Sequence, residues 1–432
     1  MDFALFLLVN AALFIRPGEI LPSLAGLPIY QVLILLSLAA ASPKLIAQWT
    51  ARPISERPVT ICMFGLLGSV LLSHLARFDF GLASYWGMDF ARVVVYYLIL
   101  VAVVDSPARL SSFLTWLLIF VIAMTLLSLG QFHGLVDIPT LKVLERSEED
   151  PATGDLVYIL QLVGTGIFND PNDYCLILTF GFLIAIYRCN DRRSGPGRIF
   201  WAIPAGVLLY ALILTQSRGG LLALVAGLMT YLASMLGMRR TLIAGALAIP
   251  PAFTMIGGRF ARMSTDADTA QERMRLWQDA LGQFRRSPFF GIGANTLADE
   301  IGLVAHNSYV HAYAEIGFFG GTCFLGVLCF SALILRRTGL PGSGIEDLEL
   351  RRVRPYLMAM LAAYGVGLYS LTRCYVASTY IPMALIEVYQ GLATNRAPES
   401  RVKFDNRHVL ALTLASIGCL VAISTFIRIL VH

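Results

Sequence analysis

Long apolar stretches without interior charge recur along almost the whole chain, and the short loops between them hold most of the charged residues. Only 14% of the 432 residues are charged, whereas soluble proteins carry roughly a quarter. Lipid is therefore the expected solvent for most of this chain. The sequence predicts an all-α fold, a polytopic transmembrane helical bundle, and excludes an ordinary cytosolic enzyme.

The apolar runs predict about 12–13 spans, and we treat residues 1–432 as a single membrane domain. The runs lie near 3–16, 28–42, 59–75, 92–104, 113–130, 173–187, 199–216, 219–237, 241–257, 308–335, 356–372, 376–391 and 408–428.

The basic residues indicate the orientation of these spans. Of the 33 Lys and Arg residues, 19 fall in one set of alternate loops, which the positive-inside rule assigns to the cytoplasmic side. The amino terminus is then cytoplasmic, and the two longest connecting segments, 131–172 and 258–307, lie outside. The formal net charge of +5 is too small to indicate a nucleic-acid partner.

The external segment 258–307 contains six arginines on the side where few are expected, which suggests an anionic ligand. Between 271 and 284, apolar residues recur at intervals of three, four and three, which predicts an amphipathic helix lying along the membrane surface. Arg273 precedes Trp277 by four positions and borders the apolar face, whereas Arg275 points elsewhere. The alternative is that these arginines contact lipid phosphates.

Polar residues also meet at two external helix ends. In the run from Gln216 to Gly220, two apolar stretches join almost directly, and Arg218 is costly there unless it is paired or faces water. A snorkelling arginine in a tight hairpin is the alternative reading.

The second polar end begins at His306 and Asn307. His311 and Glu315, four residues apart, share one face of the helix that starts there. A histidine at the boundary between water and lipid suits a general base near neutral pH. A helix cap with a satisfied histidine is the alternative, and Gly317 is expected to be a close-packing position between helices.

Taken together, these motifs resemble the O-antigen ligase and polymerase superfamily of bacterial membrane glycosyltransferases. The Ser-Arg-Gly-Gly hairpin, the Arg-Met-Arg-Leu-Trp helix, and His306-Asn307 followed by the Gly317-Phe-Phe-Gly-Gly run occur in the family's order. The run 168–172 also looks like a family feature, although Asp170 as a helix N-cap followed by Pro171 accounts for it structurally.

The resemblance implies transfer of a glycan, with inversion, from undecaprenyl diphosphate at the periplasmic face of the inner membrane. The acceptor is a hydroxyl of another glycan, of lipid A core or of another molecule, so that the product belongs to lipopolysaccharide or exopolysaccharide. By this analogy Arg218 and Arg273 bind the diphosphate, and His306 deprotonates the acceptor hydroxyl. The further residues expected to bind substrate are Arg275, Asn307, His311, Glu315 and Gln216.

The family chemistry implies neither a cofactor nor a metal. Asp266 and Asp268 nevertheless spell the Asp-x-Asp pattern that other glycosyltransferases use for a divalent ion, and they remain an alternative. A polysaccharide polymerase of the same superfamily is the second functional hypothesis, because it shares the donor and differs in the acceptor. A small-anion transporter is a third, although transporters place their polar sites near the bilayer midplane.

Overall fold

The computed structural model describes residues 1–149, 156–246, 267–340, 345–395 and 398–431. The described chain is almost entirely helical, which confirms the all-α prediction. Its α-helices are α1 (Asp2–Ile15), α2 (Pro17–Ile20), α3 (Ile29–Ala51), α4 (Pro58–Leu75), α5 (Phe80–Val103), α6 (Pro107–Phe132), α7 (Pro171–Cys189), α8 (Ala202–Leu214), α9 (Arg218–Leu236), α10 (238–246), α11 (Ala267–Arg286), α12 (Leu297–Ile301), α13 (Ser308–Arg337), α14 (Leu348–Gly367), α15 (Ala377–Ala393) and α16 (Asn406–Val431). Short 3-10 turns occupy Pro22–Leu24, Ile54–Glu56, Gly166–Phe168, Arg192–Trp201 and Pro398–Ser400.

Among the described residues, 10 helices are long and apolar enough to cross a membrane. The helices α14 and α15 match two more of the predicted spans, although α14 is too charged and α15 too short to meet the same test. Most of the remaining predicted span, 241–257, lies outside the described residues. The chain is therefore a multi-pass helical protein of the kind that the apolar runs predict.

Helix starts agree with local sequence chemistry. Asp170 is the N-cap of α7, and its side chain accepts hydrogen bonds from the backbone N–H groups of Asn172 and Asp173, with Pro171 at the first helical position. Ser106 caps α6 in the same way through the N–H of Arg109.

The segment 131–172, predicted to be external, contains a two-stranded sheet that the sequence did not predict. Strand β1 (Leu144–Glu149) pairs antiparallel with β2 (Leu156–Gln161), with Leu144 opposite Gln161.

The contacts between residues divide the described chain into two compact units. The first contains residues 1–40, 106–266 and 352–367. Within it, α7 packs against α6, α8 and α9, and α1 packs against α6. Aromatic pairs fill its core, as in the stacked rings of Phe6 and Phe113, whose centroids are 5.6 Å apart.

The second unit contains residues 41–105, 267–351 and 368–432. Its centre is the pair α4 and α13, which run antiparallel, because Cys62 lies beside Gly326 and Gly65 beside Cys323. A Cβ atom on Gly65 would lie 2.5 Å from the sulfur of Cys323, so these glycines allow the two helices to approach closely. The helices α5, α11, α15 and α16 pack around this pair.

Candidate functional site

The predicted amphipathic helix is present as α11, and protein covers its apolar face. Trp277 and Leu281 are buried in a core cluster with Val310 and Ala314 of α13 and Ile427 of α16. The sequence therefore predicted the apolar face of this helix correctly. The face packs against the helical core of the second unit, however, and does not contact lipid.

A hydrogen bond ties α11 to the residue just before His306. The indole Nε1 of Trp277 donates to the carbonyl oxygen of Ala305 at 2.7 Å. The Trp277 ring lies edge-on to the ring of Tyr369, with 5.1 Å between the ring centroids. Arg273 lies one helical turn before Trp277 on the same face and is half-buried, whereas Arg275 is exposed. The hydrogen bond of Trp277 therefore ties the helix that carries Arg273 to the loop that carries His306.

His306 itself occupies the left-handed region, with φ 48°, and is half-buried. A residue with a side chain is uncommon in this region and is held there by its surroundings. Asn307 comes next as the N-cap of α13, and its Oδ1 accepts from the N–H groups of Tyr309 and Val310. Its amide Nδ2 is buried without a hydrogen-bond partner among the described residues. Asn307 thus fixes the start of α13 immediately after His306.

His311 and Glu315 lie on one face of α13, as the spacing predicts, and both are buried. The Nε2 of His311 is 3.0 Å from a carboxylate oxygen of Glu315. The two carboxylate oxygens of Glu315 also accept the backbone N–H groups of Asn295 and Leu297, at 2.7 and 2.9 Å. With its oxygens used in this way, Glu315 holds the loop before α12 onto α13.

Two side chains of α4 also form hydrogen bonds with the loop before α12. The sequence did not indicate this pair. Ser73 Oγ accepts the N–H of Ala294 at 3.2 Å, and the Nε2 of buried His74 lies 3.1 Å from the Ala294 carbonyl oxygen. A Cβ atom on Gly293 would lie 2.9 Å from the His74 ring. A Ser-His pair at the end of an apolar span is the signal that could have drawn attention to it.

Gly317 breaks α13 instead of merely allowing helices to pack, because its backbone is non-helical at φ 67° and ψ −169°. The segment 288–293 crosses the break and forms strand-like hydrogen bonds with it. Ile292 and Gly293 donate to the carbonyl groups of Ala314 and Glu315, at 3.1 and 3.0 Å. In return, Phe318 donates to the Pro288 carbonyl at 2.7 Å.

We expect Glu315→Ala to destabilise the second unit by about 2–5 kcal/mol, because it leaves two buried backbone N–H groups without their acceptor. Thermal unfolding of the purified protein in detergent measures the effect. The exposed Glu300 of α12 supplies the matched control, since Glu300→Ala should leave the midpoint within about 1 °C. Equal midpoints for the two variants would contradict the role given to Glu315.

The predicted hairpin of Arg218 lies in the first unit. Gln216 adopts a left-handed turn conformation, with φ 56°, and Ser217 is the N-cap of α9, with its Oγ accepting from the N–H of Gly220. The same Oγ donates to the side-chain oxygen of Asn172 at 2.6 Å, which joins this hairpin to the start of α7. Arg218 is the first residue of α9 and is exposed.

Gly220 fixes how closely α9 approaches α7. A Cβ atom on it would lie 1.9 Å from the sulfur of Cys175. The run 168–172 and helix α7 therefore pack against the hairpin at Arg218 within the first unit. The two motifs are distant in sequence but adjacent in the fold.

The alternative metal pattern falls largely outside the described structure. Asp266 and the side chain of Asp268 lie outside the described residues. Among the residues that the structure does describe, no group of three or more His, Cys, Asp or Glu side chains is arranged to hold a metal ion.

A comparison with protein-family models finds a match to the O-antigen ligase family over residues 203–325. No curated protein matches the chain. The matched stretch contains the hairpin of Arg218, helix α11, His306 and the break at Gly317, which are the three motifs that occur in the family's order. The run 168–172 lies outside it. Over residues 203–325 the resemblance to the O-antigen ligase and polymerase superfamily is thereby confirmed.

Proposed function

We propose that this protein transfers a glycan from undecaprenyl diphosphate to an acceptor hydroxyl at the periplasmic face of the inner membrane, as an O-antigen ligase. The family match supports ligase or polymerase chemistry in general. The donor, the acceptor and the side of the membrane are our proposal, which rests on the external arginines and on the geometry around His306.

The observation that carries the proposal is the attachment of α11 to the loop of His306. The Trp277–Ala305 hydrogen bond joins the helix that carries the half-buried Arg273 to the residue before His306, which is half-buried in a strained conformation. A cation for a leaving diphosphate and a base for a hydroxyl are the two groups that this transfer requires.

In the proposed step, the acceptor oxygen forms a bond to the anomeric carbon while the bond from that carbon to the diphosphate oxygen breaks. Attack from the face opposite the leaving group inverts the configuration. His306 takes the hydroxyl proton, and the electron pair of the broken bond leaves with the diphosphate. Guanidinium groups stabilise that charge with paired hydrogen bonds. We assign this role to Arg273, and to Arg218 from the family resemblance alone.

We also propose roles for the remaining predicted residues. Asn307, His311 and Glu315 hold the loops around His306 and position it. Arg275 is exposed and can meet the outer part of the donor or acceptor. Gln216 shapes the turn that presents Arg218.

Removal of Arg273 tests the assignment of the diphosphate contact. We expect Arg273→Ala to lower the transfer rate about 10²–10³-fold, the typical loss of one preorganised donor to a developing charge. The assay uses purified protein, a defined undecaprenyl-diphosphate glycan and candidate acceptors. Arg286→Ala, which removes an exposed arginine from the last turn of the same helix, is the control and should keep full activity.

Arg275→Ala separates two close alternatives. If it abolishes transfer and Arg273→Ala does not, the two arginines exchange roles and the assignment to Arg273 is wrong. The products of the same assay distinguish the two family activities. A ligase moves a finished glycan onto the acceptor, whereas a polymerase produces a ladder that stays attached to lipid diphosphate.

A further inference from the structure

A cavity of about 340 Å³ lies at the other end of α4 from the candidate site, and all its lining residues belong to the second unit. The helix α4 begins at Pro58 beside the cavity and ends at Leu75, next to His74 and the loop of Ala294. An 18-residue helix is about 27 Å long. The cavity is therefore a separate place in the molecule, and a ligand bound there is independent of the proposed transfer.

The cavity wall carries charges of both signs. Its basic side chains are Lys44, Arg52, Arg57 and Arg401, and its acidic ones are Glu56, Asp105 and Glu387. Two pairs are already formed, Lys44 with Asp105 and Arg401 with Glu56. Glu56 also accepts from Lys403 at 3.1 Å, which completes its pairing. The charged side chains of the wall that these pairs do not use are Arg52, Arg57 and Glu387.

Arg52 and Arg57 are bound by neutral oxygens. Arg52 donates to the carbonyl of Gly391 and the side-chain oxygen of Asn395, at 3.3 and 3.1 Å, and Arg57 donates to the carbonyl of Gln48. No described carboxylate lies within 4.0 Å of either guanidinium group. Burial lowers the pKa of Arg52, the positive charges of Arg401 and Arg57 lower it further, and the carboxyl groups of Glu56 and Glu387 oppose that lowering. Charges of both signs therefore act on Arg52 at this wall.

Glu387 is the acidic side chain of this wall that forms no ion pair within 4.0 Å with a described residue, and it interacts electrostatically with Arg57, Arg401 and Arg52. Its side chain is 5% exposed and lines the cavity, and its Oε2 has no hydrogen-bond partner among the described residues. A buried carboxylate oxygen without a donor is costly, so a ligand that donates a hydrogen bond here is favoured. The helices α3, α5 and α15 also end at this cavity, and the carbonyl ends of helices attract cations.

A ligand with only negative charge would pair with Arg52 and Arg57 and leave Glu387 without a donor. A ligand with only positive charge would pair with Glu387 and leave the two arginines without an anion. We propose that the cavity binds a zwitterionic phosphoethanolamine group, with its phosphate on Arg52 and Arg57 and its ammonium on Glu387. The ligand reaches the cavity either as the headgroup of phosphatidylethanolamine in the adjoining leaflet or as a free phosphoethanolamine. The basic loops around this end of the unit correspond to the side predicted to be cytoplasmic.

Native mass spectrometry of the full-length protein in detergent tests the proposal, with phosphatidylethanolamine, phosphatidylcholine and phosphatidylglycerol added in turn. Phosphatidylcholine keeps the positive charge but cannot donate a hydrogen bond, and phosphatidylglycerol lacks the cation. We expect phosphatidylethanolamine to be retained at least about tenfold more tightly than either, a difference of about 1.4 kcal/mol. Equal retention of the three lipids and no effect of free O-phosphoethanolamine would overturn the proposal.

Two variants locate the binding. Arg57→Gln should weaken phosphatidylethanolamine about tenfold, and Glu387→Gln should remove the preference for it over phosphatidylglycerol. Arg239→Gln, at an exposed arginine of α10, is the control and should bind as the unaltered protein does. Unchanged retention in Arg57→Gln would show that the lipid binds elsewhere and that the assignment is wrong.

Competition on the unaltered protein identifies the source of the ligand and does not depend on any variant folding. Displacement of bound phosphatidylethanolamine by O-phosphoethanolamine, but not by inorganic phosphate, supports the proposal with a lipid as the natural source. Binding of O-phosphoethanolamine without lipid retention supports it with a soluble source. Displacement by inorganic phosphate alone would contradict the role of Glu387.

Discussion

Replacing His306 with alanine should abolish glycan transfer while the protein remains folded in the membrane. A positioned general base contributes about 10²–10⁴-fold to a rate, and no described side chain next to His306 in sequence can take the proton in its place. The rate constant at saturating donor should fall by this factor, and the Michaelis constant for the donor should change much less, because His306 is assigned to the acceptor hydroxyl.

The measurement is the transfer assay with purified protein, with the unfolding midpoint as a check on the fold. His408→Ala is the matched control, because His408 begins α16 beside Phe330 near the far end of α13, within the same unit. If His306→Ala retained transfer within a few-fold of the unaltered protein, the histidine would be a structural residue and the proposed mechanism would fail.

Replacing Gly317 with alanine should destabilise the second unit by about 3 kcal/mol or more. The combination of φ 67° and ψ −169° is essentially restricted to glycine and costs a residue with a side chain about 1–3 kcal/mol. In addition, the new Cβ atom would lie 2.3 Å from the Phe289 carbonyl oxygen, a backbone atom that cannot move without breaking the crossing segment. Gly291→Ala should behave alike, since its Cβ atom would meet the Glu315 carbonyl at 2.2 Å.

Thermal unfolding in detergent compares these variants with Gly418→Ala. Gly418 lies inside α16 with no heavy atom within 4 Å of an added Cβ, so alanine there should stabilise the helix by about 0.5–1 kcal/mol. Midpoints that do not differ between Gly317→Ala and Gly418→Ala would show that the break in α13 is not required. Transfer activity should fall with Gly317→Ala, because the crossing segment leads into the loop held by Glu315.

The sequence predicted correctly those features that depend only on residues close together in the chain. The apolar face around Trp277 and the N-cap at Asp170 depend on residues a few positions apart, and both are present. Helix limits were less accurate where charges occur inside helices. The predicted start of α5 was residue 92, but the helix begins at Phe80, where the side chain of Asp79 caps it by accepting the Leu82 N–H. Asp89 and Arg92, the charges that ended the apolar run, pair at 3.2 Å on the helix surface.

The contacts that build the candidate site join residues distant in sequence, and no periodicity reveals them. Ser73 and His74 meet Ala294 across more than 200 positions. The spacing of His311 and Glu315 showed that they share a face, but it could not show that backbone N–H groups occupy the carboxylate. Gly317 was recognised as important, yet a glycine in an apolar run is equally compatible with close packing and with a helix break.

The break at Gly317 also divides α13 into a short first part and a longer second part. Residues 318–337 number 20 and span about 30 Å, the thickness of the hydrocarbon core of a bilayer, and they end at Arg336 and Arg337. We propose that residues 318–337 cross the bilayer, so that the nine residues from Ser308 to Ile316, about 13 Å of helix, lie beyond the lipid tails. In this placement His306 lies at the depth of phosphate headgroups and water, where the proposed lipid-borne donor and a hydrophilic acceptor can both reach it.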